Sequence, residues 1–197
     1  MILRCATSNP GKLNEFRMAA EHFGFTSIDI RPLDGLKQIA PPEEDGGTFE
    51  ENAIEKALYY SVFTDEPLFA DDSGLEVDAL QGEPGIRSAR FAGPGATDKD
   101  NNALLLARLT NAADRSARFV CVIALAQRGK LLGTYRGAVE GLILREEHGR
   151  GGFGYDPLFF YEPFGCTFSE VDAARKMEVS HRGQALHGML SAFDASS

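Results

Sequence analysis

The feature that most restricts the fold is an uninterrupted apolar run at residues 119–126. Successive side chains of a strand face opposite sides of a sheet, so this run is apolar on both faces. Such a strand belongs in the centre of a sheet that is covered on both sides. A polar segment, residues 127–130, separates it from a second strand-like stretch at residues 131–139. The pattern predicts a central β-hairpin.

Strand and helix patterns alternate along the rest of the chain. Further strands are predicted at the apolar runs 2–6, 67–70 and 158–160. Helices are predicted after residue 12, at Thr48, at Thr97, near Ser169 and near Ser180. Thr48 and Glu51 have the spacing of a capping box. Because no repeat or linker interrupts the 197 residues, we expect residues 1–197 to form a single α/β domain with a mixed sheet.

Composition excludes several classes of protein. The eight-residue apolar run is far shorter than the ~20 residues that cross a bilayer, and no secretory signal begins the chain, so we expect a cytoplasmic protein without a membrane partner. With 20 Lys and Arg against 29 Asp and Glu, the net charge is −9, which argues against binding a nucleic-acid polymer. Three widely spaced cysteines fit neither a disulfide framework nor a zinc site.

The first candidate site is the turn between the first strand and the first helix. Backbone N–H groups at a helix N-terminus attract anions, and hydroxyls and a lysine would add donors and charge for a polyphosphate. The segment does not match a Walker A loop, because Leu13 follows the lysine. Phosphate binding and simple helix capping are equally compatible with it. Its residues are Thr7, Ser8, Asn9, Pro10, Gly11 and Lys12.

Acidic residues form the second candidate. Asp71 and Asp72 follow the predicted strand 67–70, so we expect Asp72 to stand at a strand end, where sites of α/β sheets gather. Hard carboxylate oxygens suit Mg²⁺, which completes its shell with water and phosphate oxygens. Glu43, Glu44 and Asp45 could contribute ligands or could form a solvated acidic loop. For Asp71 and Asp72 the alternative is a plain turn.

Two further segments carry polar and aromatic side chains. Residues 149–154 match G-x-G-x-x-G, but a turn and strand follow instead of a helix, so a dinucleotide site is rejected. What remains is a loop with Phe153 and Tyr155 beside Asp156, suited to a nucleobase or to core packing. Lys176 with His181 and Arg182 could donate to keto or phosphate oxygens; a capped helix with solvated cations is the alternative.

Taken together and in order, these segments resemble the non-canonical purine nucleoside triphosphate pyrophosphatases, also called inosine/xanthosine triphosphate pyrophosphatases. Each segment alone is weak evidence, but the ordered set spans nearly the whole chain. The matching segments are 7–12, Glu43-Glu44 with 48–53, Ala70-Asp71-Asp72-Ser73-Gly74-Leu75, 84–86, Ser88-Ala89-Arg90, Gly151-Gly152-Phe153-Gly154-Tyr155-Asp156-Pro157, and Ser180-His181-Arg182-Gly183-Gln184-Ala185-Leu186.

The resemblance implies Mg²⁺-dependent hydrolysis of inosine, deoxyinosine and xanthosine triphosphates to the monophosphate and pyrophosphate. It also implies a homodimer and an elongated mixed sheet with flanking helices, forming two lobes around a cleft. Asp72 would be the proton acceptor and a metal ligand, with Glu43 as second ligand. The other implied substrate contacts are Thr7, Ser8, Asn9, Pro10, Gly11, Lys12, Ser73, Phe153, Gly154, Tyr155, Asp156, Lys176, His181 and Arg182.

Two rival functions stay open at this level. One is a related pyrophosphatase that acts on modified pyrimidine triphosphates, which a substrate profile separates from the purine enzyme. The other is a regulator that binds a triphosphate without cleaving it. Carboxylates close to the phosphate-binding turn argue against the regulator, because binding alone needs no general base.

Overall fold

The computed structural model describes residues 1–43 and 45–194. Its strands are β1 (Ile2–Cys5), β2 (Asp29–Pro32), β3 (Leu68–Val77), β4 (Ser116–Gln127), β5 (Lys130–Ile143), β6 (Phe159–Tyr161) and β7 (Cys166–Thr167). Its helices are α1 (Pro10–His22), α2 (Phe49–Tyr60), α3 (Asp98–Arg108), α4 (Ala173–Met177) and α5 (His181–Asp194). Short 3₁₀ turns lie at Leu36–Gln38, Ser61–Phe63, Asp78–Leu80, Gly85–Arg90 and Glu162–Phe164.

The strands form one mixed sheet in the order β2-β1-β3-β4-β5-β6-β7. β1 runs parallel to both β2 and β3, whereas the pairs from β3 to β7 are antiparallel. The expected α/β class with a mixed sheet and flanking helices is confirmed. Within the described chain, none of the helices is long and apolar enough to cross a membrane.

The central hairpin is confirmed. β4 is apolar and almost wholly buried, and its two-residue turn to β5 consists of Arg128 and Gly129, both with positive φ. Positive φ at both turn residues matches the right-handed twist of the flanking strands. Helices cover both faces of this hairpin, which accounts for its apolar character on both sides.

Each face of the sheet has its own apolar layer. On one face, α1 and α5 pack against Phe69, Cys121 and Ile123. On the other, Phe49, Ala53 and Ala57 of α2 pack against the even-numbered residues of β4. The capping boxes at Thr48 and Thr97 are present and begin α2 and α3 at the predicted positions.

Three predicted boundaries are wrong. The second arm of the hairpin, expected over residues 131–139, continues to Ile143. The strand expected to end at residue 70 runs on to Val77, because its ladder with β4 continues without interruption from Leu68↔Ala126 to Val77↔Ala117. Asp71 and Asp72 therefore lie within a strand, not at a strand end. The helix expected near Ser169 begins at Ala173 with Asp172 as its N-cap, since the Ser169 hydroxyl donates to the Gly151 carbonyl instead.

Candidate active site

The cavity that gathers most of the predicted site lies beside β3, beyond the end of β1. β1 pairs with β3 only at Leu68 and Phe69, so β3 continues past the last residue of its neighbour. The cavity has a volume of about 560 Å³, enough for a nucleotide-sized ligand. Its lining includes these predicted residues: Thr7, Ser8, Asn9, Lys12, Asp72, Ser73, Phe153, Gly154, Tyr155, Asp156, His181 and Arg182.

The turn before α1 forms one end of the cavity. The Asn9 side chain accepts hydrogen bonds from the backbone N–H groups of Gly11, at 2.8 Å, and Lys12, at 3.2 Å. Helix capping is thus confirmed. Pro10 and Gly11 begin the helix and lie behind the lining, whereas Thr7, Ser8 and Lys12 face the cavity. Phosphate binding by this turn stays a prediction.

Strand alternation places Asp71 and Asp72 on opposite faces of the sheet. Asp71 faces α1, and its Oδ2 lies 2.7 Å from Lys12 Nζ. Asp72 faces α2, where Lys56 Nζ lies 3.0 Å from Oδ1 and Asn52 Nδ2 donates to Oδ2 at 3.1 Å. The two neighbouring carboxylates are therefore held by separate cations on separate helices.

Their surroundings move the two pKa values in opposite directions. Burial raises the pKa of Asp72, and the attraction of Lys56 and the hydrogen bond from Asn52 only partly oppose it. Burial would also raise the pKa of Asp71, but the charges of Lys12, Arg182 and Lys56 outweigh it and lower that pKa to about 2. A carboxylate with a raised pKa is the better proton acceptor, so Asp72 is the better general base.

Sequence reasoning missed Asn52 and Lys56. Both lie on α2, four residues apart, so they share one face of the helix. The capping box fixes where α2 begins, and helical spacing from Phe49 and Ala53 could have placed this pair toward the sheet beside Asp72.

The glycine-rich loop forms another part of the cavity wall, and its Phe153 ring lies close to Gly11 at the start of α1. Tyr155 is buried, and its hydroxyl donates to the Ser88 carbonyl at 2.8 Å. Phe153 is half-buried, with the Arg182 guanidinium 5.2 Å from its ring centre. The aromatic surface available to a ligand here is therefore chiefly that of Phe153, while Tyr155 anchors the loop.

A buried polar chain connects the glycine-rich loop to Lys12 in the first turn of α1. Asp156 and Glu15 both accept from Lys176 Nζ, at 2.6 and 2.8 Å, and Glu15 also accepts from Arg182 at 2.8 Å. Arg182 donates to the Ser73 hydroxyl at 2.9 Å, which donates to Asp71 at 3.1 Å. The chain therefore consists, in order, of Asp156, Lys176, Glu15, Arg182, Ser73, Asp71 and Lys12.

Alternating charges stabilise this chain away from water. Burial of Glu15 is outweighed by the attraction of Arg182 and Lys176, so the Glu15 pKa is lowered and the carboxylate is ionised. Lys176 lies behind Asp156 and is almost completely buried. Direct contact of Lys176 with substrate stays a prediction. Glu15 was missed, since a single acid within a helical pattern gives no sequence signal.

His181 is the first residue of α5, and its side chain lines the cavity. Its ring stacks on Phe119 with centres 4.9 Å apart, and burial together with the charges of Arg182 and Lys176 lowers its pKa well below the ordinary value. The imidazole is therefore neutral at neutral pH, with one N–H donor. Its Nδ1 has no hydrogen-bond partner among the described residues.

The predicted metal ligands are only partly brought together. Asp72 lines the cavity, whereas Glu43 is exposed in the segment before α2 and Glu44 lies outside the described residues. Residues 1–43 and 45–194 contain no group of three or more His, Cys, Asp or Glu side chains that could hold a metal. The Asn52 Oδ1 atom is buried beside Asp72 and has no hydrogen-bond partner among the described residues. A carboxylate and a carbonyl oxygen fit Mg²⁺ when water and phosphate supply its other ligands.

Comparison with known proteins identifies the relatives of this fold. The dITP/XTP pyrophosphatase of Syntrophobacter fumaroxidans is 49% identical over 193 residues, covering 98% of this chain and 82% of that protein. A dITP/XTP pyrophosphatase of Thermus thermophilus is 45% identical over 190 residues, covering 95% and 89%. The solved structure of the Staphylococcus aureus Ham1 protein has a TM-score of 0.87 at 36% identity, covering 100% of both chains.

The sequence model of the Ham1 family matches residues 3–192, nearly the full length of the chain. The ordered motifs, the mixed sheet and the cavity beside β3 all fall within that match. This chain belongs to the Ham1 family.

Proposed function

We propose that this protein hydrolyses inosine, deoxyinosine and xanthosine triphosphates to the nucleoside monophosphate and pyrophosphate, in a Mg²⁺-dependent reaction. The observation that carries the proposal is the composition of one cavity, whose lining combines the carboxylate of Asp72 and the ammonium groups of Lys12 and Lys56 with the Phe153 ring and the His181 imidazole. The two relatives described above are named dITP/XTP pyrophosphatases, which supports the same activity for this chain.

The triphosphate is expected at the end formed by the turn before α1. Thr7, Ser8 and Lys12 face that end and offer hydroxyl and ammonium donors, with Lys56 across β3. The base is expected against the Phe153 ring, which lines the same cavity. Positioning and charge stabilisation account for most of the catalysis of phosphoryl chemistry, so the joint arrangement of these groups matters more than any single donor.

In the proposed step, water attacks the α-phosphorus and Asp72 accepts its proton. A bond forms between the water oxygen and the α-phosphorus, and the bond to the oxygen bridging to the β-phosphorus breaks. Pyrophosphate leaves toward Lys12. Asp72 and the predicted ligand Glu43 would hold Mg²⁺, and the bound ion would supply charge neutralisation for the phosphates.

Charge balance supports a role for a divalent cation. In the described chain the cavity lining carries five cationic side chains and four acidic ones, so its surplus of positive charge is small. Lys12 and Lys56 already have carboxylate partners in Asp71 and Asp72. A highly charged triphosphate needs more neutralisation than this lining supplies.

Base selection rests on hydrogen-bond satisfaction. A donor from His181 or Arg182 that meets the 6-keto oxygen of hypoxanthine or xanthine would meet the 6-amino group of adenine instead. Leaving a buried polar group unpaired costs about 1–3 kcal/mol, or roughly tenfold to a hundredfold in selectivity. Discrimination against guanine has to arise at the 2-position.

We further propose that the protein acts as a homodimer in the cytoplasm. The resemblance supports the dimer, and exposed apolar side chains such as Val62 and Phe63 offer surface for association. Each chain has a mass of 21.4 kDa, so sedimentation equilibrium should give about twice this value. A species of single-chain mass at micromolar concentration would contradict the dimer.

The deciding experiment incubates the protein separately with inosine, adenosine and guanosine triphosphates in Mg²⁺ and identifies the products. Monophosphate and pyrophosphate from the inosine nucleotide, with little from the others, would support both reaction and specificity. Diphosphate with orthophosphate would place the attack at the γ-phosphorus and contradict the proposal. Turnover only of modified pyrimidine triphosphates would favour the pyrimidine rival, and calorimetric binding without turnover would favour a regulator.

A further inference from the structure

The polar first half of α3 contacts the walls of the cavity. Asn101 is buried, its Oδ1 accepts from the Ala92 N–H at 2.8 Å, and its Nδ2 donates to the Ala89 carbonyl at 3.2 Å. One side chain thus holds two backbone groups of one wall, Ala89 within the Gly85–Arg90 turn and Ala92 just after it.

The neighbouring residues on α3 hold the opposite wall at Gly154. Asp98 Oδ2 accepts from the Gly154 N–H at 2.7 Å, and Asn102 Nδ2 donates to the Gly154 carbonyl at 3.2 Å. Asp98 and Asn102 are four residues apart and lie on one helix face. They fix both polar backbone groups of a residue that has a left-handed conformation, with φ of +61°.

Gly154 controls the position of its neighbours in the loop. Phe153 precedes it and presents its ring to the cavity, and Asp156 accepts from the Phe153 N–H at 3.1 Å. Tyr155 follows it and joins this wall to the other by its hydrogen bond to Ser88. The three side chains of α3 therefore brace two walls of the cavity, which the Tyr155–Ser88 hydrogen bond joins.

These three side chains are not needed for α3 itself. The capping box of Thr97 and Asp100 satisfies the helix start, and Leu105 and Leu109 anchor its far half in the core. Buried amides are costly unless their hydrogen bonds are made, so the buried Asn101 is explained by the wall backbone it holds. The Asn102 amide donates both to the Gly154 carbonyl and to the Glu147 carboxylate.

We propose that Asp98, Asn101 and Asn102 are positioning residues for base recognition, which act by holding Phe153 and Gly154 against the base of a bound purine nucleotide. This inference rests on the proposed function. It predicts that loosening the brace impairs discrimination between bases more than it impairs handling of the phosphates, whose proposed donors Lys12 and Lys56 are held by Asp71 and Asp72 instead.

The test compares Asp98→Ala with Asp98→Asn. Asp98 is exposed, so both variants should fold, and both lose the same negative charge at the helix N-terminus. Only asparagine keeps a side-chain oxygen that can accept from the Gly154 N–H. Asn102→Ala removes the second contact to Gly154, and Lys99→Ala on the exposed face of α3 is the control.

Two quantities are measured: the ratio of kcat/KM for inosine triphosphate to that for adenosine triphosphate, and hydrogen exchange in residues 151–156. Asp98→Ala and Asn102→Ala should lower the ratio about fivefold, the order expected for one net hydrogen bond, and should speed exchange. Asp98→Asn should restore most of the ratio, and Lys99→Ala should change neither quantity.

An unchanged ratio in both alanine variants, or an equal fall for both triphosphates, would overturn the positioning role while the proposed function stands. Failure of the unaltered protein to cleave any purine triphosphate would overturn the proposed function itself. In that case faster exchange in Asp98→Ala but not in Asp98→Asn would still support the hold on the loop, and equal exchange in both would overturn it.

Discussion

At the scale of single residues, the most informative contrast is between the adjacent acids of β3. Both are aspartates of the same strand, yet Asp71 faces α1 and Asp72 faces α2. Burial dominates at Asp72 and raises its pKa, whereas surrounding cations dominate at Asp71 and lower its pKa. Environment thus makes Asp72 the better proton acceptor of the two.

Replacing Asp72 by asparagine tests the proton acceptor. Asparagine keeps the shape of the side chain but cannot take a proton at neutral pH, so kcat should fall by roughly a hundredfold to ten-thousandfold. The melting temperature should stay within a few degrees of the unaltered protein. Asp78→Asn, an exposed acid paired with Arg118 outside the cavity, is the matched control and should retain activity. Near-normal turnover of Asp72→Asn would remove Asp72 from the mechanism.

Asp71 should make the stability of the protein depend on acid pH. Its folded pKa of about 2 lies below its ordinary value of 3.8, so its stabilisation is complete above roughly pH 4 and is lost as the pH falls toward 2. The contribution amounts to about 2 kcal/mol. Urea unfolding between pH 5 and 2 should show this slope, and Asp71→Asn should flatten it.

The control for this measurement is Asp65→Asn, which removes a highly exposed acid that pairs with Arg128 at the hairpin end. It should leave the slope nearly unchanged, because exposed ion pairs contribute little. Equal flattening in the two variants would show that the acid sensitivity comes from general surface charge and not from Asp71.

At the scale of elements, the position of α5 depends on one small residue of β5. A Cβ at Gly137 would overlap the His181 carbonyl oxygen and lie only 2.7 Å from the Ala185 nitrogen. Both atoms belong to the backbone of α5 and cannot rotate away. The strand therefore has to carry glycine for the first turn of the helix, with His181 and Arg182, to reach the cavity.

Gly137→Ala should push α5 off the sheet and reduce the free energy of unfolding by about 3 kcal/mol, as overpacking does. Activity should fall with it, since His181 and Arg182 move. Gly188→Ala on the same helix is the opposite case: its Cβ meets only Tyr135 at 3.8 Å, and it should stabilise the protein by up to ~1 kcal/mol. Chemical denaturation of both measures this contrast, and equal effects would contradict it.

Elements with strong local signals could be predicted from the sequence. The hairpin has an apolar run and a turn, and α2 and α3 have capping boxes, so their type and start follow from local chemistry. β3 could not be bounded in this way. Its charged middle resembles a turn, and only the ladder with β4 and the cations of α1 and α2 explain why the strand continues.

In the candidate site too, residues with a local sequence signal could be predicted and residues defined by distant contacts could not. Residues in motifs, such as Lys12, Asp72 and Phe153, could be named in advance because their segments are unusual as a set. Glu15, Asn52 and Asn102 could not, because each is an ordinary polar residue within a helical pattern. Their roles arise from contacts to residues distant in the chain, as in the 161-residue separation of Glu15 and Lys176.

At the scale of the whole molecule, we propose that residues 1–197 unfold as one unit. The long strand β4 contributes Cys121 and Ile123 to the core under α1 and α5, and Ala117 and Phe119 to the core near α3. Since β3 and β4 run through both cores, neither can melt while the other stays intact.

Thermal unfolding followed by far-ultraviolet circular dichroism and by the near-ultraviolet tyrosine signal should give superimposable transitions. Calorimetric and van't Hoff enthalpies should then agree once the association state is taken into account. Two separated transitions would show that the chain consists of two domains, and would contradict the single-domain expectation.

The position of the cavity beside β3 has a consequence for solubility. Past Phe69, no strand of the described chain pairs with the cavity side of β3 until Glu76 bridges to Pro84. An open strand edge on a surface invites association with other chains. Here the edge is recessed among charged walls, where another polypeptide strand cannot align with it but a small, flexible ligand can enter. Part of the edge is also covered, because the Leu75 N–H donates to the Ser88 hydroxyl, so the fold limits the template that this strand offers for aggregation.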